Sequence, residues 1–193
     1  PHEALSLPGD FAPAARTRED LVVSDRLEPR VQALDDELLR IFGRSLKIRV
    51  VSAGGCNACE ADVNVLGTVV FDLGRFGIQV VASPRHADAL LVTGAVSENM
   101  SLALKKTYDA MPAPKIVIAV GACAISGGPY IDHPEVRNGA SSIVPVDLWI
   151  PGCPPHPYTI LDGLLGLVGR MRTEPSWAER FRATQQRAGE EGR

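Results

Sequence analysis

KIRVVSAGGCNACEADVN runs from Lys47 to Asn64. Its first residues, Ile48 to Val51, form a short β-branched run that reads as a strand. Gly54-Gly55 then breaks the run. From about Glu60 to Leu73 the chain reads as a helix. Strand, glycine turn and helix in that order make the repeating unit of a parallel α/β sheet. Two cysteines, Cys56 and Cys59, fall inside the turn.

The same alternation continues downstream. IQVVAS (78–83) and ADALLVTGAV (87–96) read as strands, and NMSLALKKTYDAM (99–111) as a helix ended by Pro112. Residues 115–120 and 146–150 read as two further strands. A helix is expected over 157–171. Strands that are almost wholly apolar and alternate with helices imply a parallel sheet covered on both faces. The expected fold is therefore α/β, a flavodoxin-like doubly wound parallel sheet over residues 47–172. Residues 1–26 read as an extended or poorly ordered arm that could wrap a partner. Residues 27–46 read as a helix, with Val31, Leu34, Leu38, Leu39 and Phe42 on one face. Residues 173–193 read as a polar tail.

The chain has 193 residues, 45% of them hydrophobic, enough for one domain with a core plus extensions. Its net charge of −3 offers no basic footprint for nucleic acid. No apolar run approaches the roughly 18 residues of a spanning helix. The first residues do not have the layout of a secretory signal. The expectation is a chain in the cytoplasm that meets a membrane only through partners.

The four cysteines, Cys56, Cys59, Cys123 and Cys153, are spaced Cys-x2-Cys-x63-Cys-x29-Cys. Each segment follows the carboxyl end of an expected strand. In a parallel sheet those ends share one edge, where ligands bind in open α/β folds. Glycines flank every cysteine: Gly54-Gly55, Gly121, Gly127-Gly128 and Gly152. Such loops allow close backbone approach and can form anion-binding concavities. A cube of iron and sulfur held by four thiolates is an anion, and these loops suit it. Pro151, Pro154 and Pro155 would stiffen the loop of Cys153.

Three other readings compete. A thioredoxin-type Cys-x-x-Cys fits a strand–helix junction but leaves Cys123 and Cys153 unused. A structural zinc ion takes its ligands in two close pairs, and the second pair here is split by 29 residues. Four buried inert thiols would be ordinary packing, but Gly- and Pro-rich loops are unusual places for them. One [4Fe–4S] cluster accounts for all four positions, and the spacing is not that of the two-cluster ferredoxins.

GGCNACEADVN, RFGIQVVASPRHADALLVTGAV, YDAMPAPKIVIAVGACAISGG and IVPVDLWIPGCPP together resemble the small subunit shared by [NiFe] hydrogenases and respiratory complex I. The resemblance covers Lys47 to Val168. The chain has no cysteines for the medial and distal clusters of uptake hydrogenases, and so is most similar to the membrane-bound, energy-converting type, such as formate hydrogenlyase. Its first motif keeps two residues between the cysteines, as in hydrogenases, whereas the complex I counterpart has two adjacent cysteines there.

The resemblance implies a non-catalytic electron-transfer subunit of an oxidoreductase complex, with one proximal [4Fe–4S] cluster on Cys56, Cys59, Cys123 and Cys153. The implied partners are a hydrogenase-like large subunit ([NiFe] or a nickel-free relative), a ferredoxin-like iron–sulfur subunit and membrane subunits. The implied location is peripheral, on the cytoplasmic side of the cell membrane. The alternative is the equivalent cluster N2 subunit of a complex I-type NADH/quinone oxidoreductase. A scaffold that keeps the fold without electron transfer is a third reading.

Glu60 follows Cys59 at a helix start, where a carboxylate is favourable in any case. Its functional reading is a proton relay near the cluster or the large-subunit interface. Arg85 and His86 could tune the cluster or face a partner, and are otherwise solvated. Asp62 and Asp72 are expected on one helix, facing solvent. His156 is expected at a surface, and His133 in an ordinary loop.

Overall fold

The computed structural model describes residues 13–21 and 45–169. Most of the expected helix over 27–46, residues 1–12 and 22–26 of the arm and the tail 173–193 lie outside the described residues. Five strands form one sheet: β1 (Leu46–Ser52), β2 (Ile78–Val80), β3 (Ala89–Thr93), β4 (Ile116–Val120) and β5 (Leu148–Ile150). The order is β2-β1-β3-β4-β5, and every pairing is parallel. This is the flavodoxin-like order, with its switch point between β1 and β3. Leu46, read from sequence as the end of a helix, instead opens β1.

Alternation along the strands divides the core in two. Ala89 and Leu91 of β3, with Ile116, Ile118 and Val120 of β4, face one layer. Leu90, Val92, Val117 and Ala119 face the other. Helices α1 (Ala58–Val65) and α4 (Pro157–Leu167) cover the first face through Val63, Ile160 and Leu164. Helices α2 (Glu98–Asp109) and α3 (Ala122–Ser126) cover the second through Leu104 and Ala124. Residues such as Leu91, Ile118 and Leu164 are almost fully withdrawn from water. Each contributes about 1.5–3 kcal/mol of transfer free energy, set against conformational entropy.

Three local departures from the sequence reading have physical causes. Helix α1 stops at Val65, eight residues before Leu73. Gly67 and the β-branched run Thr68-Val69-Val70 are poor helix formers. Asp72 is consequently off the helix, at φ 45° before a 3-10 turn. Helix α3 is an extra turn, started where Gly121 takes φ +90° and reverses the chain out of β4. The third departure is the described part of the arm. Ala15 exchanges two backbone hydrogen bonds with Trp149, at 2.9 and 2.8 Å. The arm thus lies antiparallel along the outer edge of β5, its buried Ala14 against Gly163 of α4. A bare strand edge is satisfied within the chain.

Candidate metal centre

Cys56 and Cys59 follow β1, Cys123 follows β4 and Cys153 follows β5, all at the carboxyl edge. Cys59 is the second residue of α1, and Cys123 the second of α3. Cys56 and Cys153 are exposed, Cys59 and Cys123 half-buried, and all four are free thiols. The loops are cross-tied by backbone bonds. Gly121 N–H donates to Ile150 O and Ala122 N–H to Gly152 O, both at 2.8 Å, so the segments of Cys123 and Cys153 share one frame. Gly121 also packs against the other pair: a Cβ there would stand 2.6 Å from Cys59 Sγ.

The thiols sense one another. Burial pushes the Cys59 thiol up to about 12, helped by the charges of Glu60, Cys123, Cys56 and Cys153. Burial, then Cys153 and Cys56, raise Cys123 as well. Every one of these influences opposes the thiolate. Thiolates gathered in one site can be anionic together only beside a strong compensating positive charge, which a metal supplies. Among the described residues, no three His, Cys, Asp or Glu side chains are disposed to share one ion. An all-thiol donor set drawn from three loops fits a larger group, in which each sulfur meets its own iron.

Glu60 is not a free helix-end charge. Its Oε1 accepts a 2.6 Å hydrogen bond from Thr93 Oγ1 at the end of β3. Burial works against the charged form, but donors from Ser52, Thr93 and Glu60's own backbone N–H outweigh it and hold the carboxyl below its usual range. Sequence reading passes over Ser52 and Thr93. The available signal is a hydroxyl closing an otherwise apolar strand, ALLVT.

The remaining candidates are dispersed. Arg85 and His86 are exposed in the turn Pro84–His86, which leads to Asp88 and the start of β3. Ala89 is in register with Ile48, and Thr93 with Ser52. The turn therefore lies toward the amino end of the sheet, about 13 Å of strand away from the cysteine edge. His156 is exposed and caps α4, its Nδ1 accepting from Tyr158 N–H at 3.1 Å. His133 is an exposed loop residue bonded to the Glu135 N–H. No described helix is long and apolar enough to cross a membrane.

A 2-1-3-4-5 sheet with four thiols gathered on its carboxyl edge defines the class, a flavodoxin-like subunit of an oxidoreductase. The chain belongs to the family of the NADH ubiquinone oxidoreductase, 20 Kd subunit, whose model matches residues 56–167. It is 41% identical, over 72% of its length and 81% of the relative's, to the probable membrane-bound hydrogenase subunit mbhJ of Pyrococcus furiosus. It is also 41% identical to formate hydrogenlyase subunit 7 of Escherichia coli, covering 80% of this chain and 60% of that longer one. An NADH-quinone oxidoreductase subunit of Clostridium beijerinckii is 47% identical over 58% of this chain and 68% of its own length.

Among solved structures, a chain of the membrane-bound sulfane sulfur reductase (MBS), an archaeal respiratory membrane complex, matches with a TM-score of 0.60 and 30% identity. That match covers 80% of this chain and 90% of the other. A chain of an NAD+-reducing [NiFe]-hydrogenase matches with a TM-score of 0.51 and 26% identity, over 70% and 98%.

Proposed function

We propose that this chain is the electron-transfer subunit of a membrane-associated hydrogenase-like oxidoreductase of the energy-converting, formate hydrogenlyase type. Cys56, Cys59, Cys123 and Cys153 would hold one [4Fe–4S] cluster. Such a cluster, when bound, supplies one-electron transfer between a ferredoxin-like subunit and the active site of a large subunit. The chain's own residues do the rest. The three loops place the sulfurs, Gly121 lets Cys59 approach, and the sheet holds the frame rigid. Glu60 is the candidate proton-transfer group. The chain would sit at the cytoplasmic face of its membrane complex, attached through partners.

The observation that carries this reading is the convergence of all four cysteines on one sheet edge, where the Cys59 and Cys123 thiols are raised by burial and by the neighbouring cysteines. The two-residue spacing of Cys56 and Cys59 and the two hydrogenase relatives support the hydrogenase branch. The second reading is the equivalent subunit of a complex I-type quinone reductase, favoured by the 47% identity to the Clostridium beijerinckii NADH-quinone oxidoreductase subunit.

Anaerobic purification of the complex, with iron and sulfide assays and EPR of the reduced protein, tests the cofactor. Four irons per copy of this chain, beyond those its iron-bearing partners hold, and a reducible signal that Cys153→Ser removes are expected; zinc, or no metal, at the four cysteines would overturn the reading. Nickel analysis of the large partner separates the branches, since a nickel-free partner would point to quinone or sulfur chemistry. Replacing Glu60→Gln should slow proton-coupled turnover and leave iron unchanged, and a normal rate would remove its relay role.

A further inference from the structure

β3 lies between β1 and β4 in the sheet, the two strands whose ends lead to Cys56, Cys59 and Cys123, yet it carries no cysteine. Its carboxyl end is nonetheless built tightly into the site. Thr93 is fully buried, and its Oγ1 donates to Glu60 Oε1 at 2.6 Å. The Thr93 carbonyl accepts from Ala53 N–H at 2.8 Å, directly ahead of the Gly54-Gly55 turn. A Cβ on Gly94 would come within 2.5 Å of Gly55 N, so the two backbones touch. Beyond it, Val96 holds φ +58°, a strained conformation for a β-branched residue. Arg137 N–H and Ser97 N–H clamp this segment through Val96 O and Ala53 O.

We infer that Thr93 is a positioning residue: its hydroxyl holds the Glu60 carboxylate in place beside Cys59, so that the carboxylate's charge bears from one fixed position on whatever the cysteines hold. The inference rests on the cluster reading above and deepens it. A fixed anion next to a ligand sulfur opposes the arrival of an electron and so lowers the reduction potential; net charge and hydrogen bonding are the protein's levers on such a site. Valine matches threonine in shape but has no donor. Without the hydroxyl, Glu60 keeps only the support of Ser52 and its own backbone N–H, and its carboxylate is free to turn toward water.

The test is a potentiometric EPR titration of the purified complex, with iron content measured alongside. Glu60→Gln should shift the midpoint potential upward. Thr93→Val should shift it in the same direction by less, because Ser52 still donates. Thr93→Ser, which keeps the hydroxyl, should titrate as wild type. In the Glu60→Gln background, Thr93→Val should add no further shift, since the two residues act through one contact.

Should valine prevent cluster loading, Thr93→Ala makes the same deletion with less bulk. An unshifted potential in a fully loaded Thr93→Val or Thr93→Ala variant would overturn the inference. So would equal shifts with and without Glu60, or a Thr93→Ser variant that behaves like valine. A wild-type complex whose iron–sulfur signals all survive Cys153→Ser would instead overturn the cluster reading itself.

Discussion

Gly121 lies so close to Cys59 that a single methyl group on its α-carbon would reach within 2.6 Å of the sulfur. The two residues are 62 positions apart in the chain and belong to different strand–helix units. Gly121 also holds φ +90°, which an alanine tolerates poorly. Gly121→Ala should therefore displace Cys59 and remove most of the iron. It should also cost about 1–3 kcal/mol of stability through overpacking. Iron per chain and thermal unfolding measure the two effects, and full iron content would show that Cys59 need not sit where it does.

Cys153 is exposed, so its side chain contributes little to packing. Cys153→Ser should leave the unfolding temperature within a few degrees of wild type while at least halving iron and abolishing turnover of the complex. A serine hydroxyl is a far weaker iron ligand than a thiolate, whereas the change in volume is small. Unchanged iron in this variant would contradict the ligand role.

The arm tests a purely structural claim. Ala15 N–H donates to Trp149 O at 2.9 Å, and proline has no such donor. Ala15→Pro should cost about 1–3 kcal/mol by leaving the carbonyl of a buried edge strand unpaired. Chemical denaturation should show a lower midpoint with iron per folded chain unchanged. Stability equal to wild type would mean that the arm does not hold the β5 edge in solution.

Asp147 gives a pH dependence. Burial pushes its carboxyl up by more than the Val117 N–H and the Arg16 charge pull it down. The folded state thus holds this proton more tightly than the unfolded chain does. The stability it contributes is complete below the ordinary value of 3.8 and is lost as pH rises through the raised folded value. Asp147→Asn cannot ionise, and its amide oxygen can still accept from Val117 N–H. Measured by denaturation at about pH 3 and about pH 7, the stability difference between variant and wild type should move in the variant's favour at the higher pH. A difference independent of pH would contradict the assignment.

Much of this was legible from residue order. Apolar runs such as ALLVT and IVIAV between amphipathic stretches announce a parallel sheet, because strands buried on both faces have no polar side to show. The parallel sheet in turn aligns strand ends, which is why residue order alone could place the cysteines on one edge. Element ends were less legible. Helix α1 stops where Gly67 and three β-branched residues begin, a local signal that the apolar periodicity masks. The arm reads as unattached because its partner, Trp149, is more than 130 residues away.

The sequence by itself determined the layered architecture, the strand–turn–helix rhythm and the identity of the four thiols, since each follows from local period and residue type. Only the tertiary structure decided what touches what on the cysteine edge. Gly121 against Cys59, Gly94 against Gly55, and Thr93 holding Glu60 are all pairings between remote segments. Their physical cause is the register of neighbouring strands, which brings Ser52, Thr93 and Val120 level with one another and sets the loops beyond them in contact. No local property of threonine or glycine reveals that register.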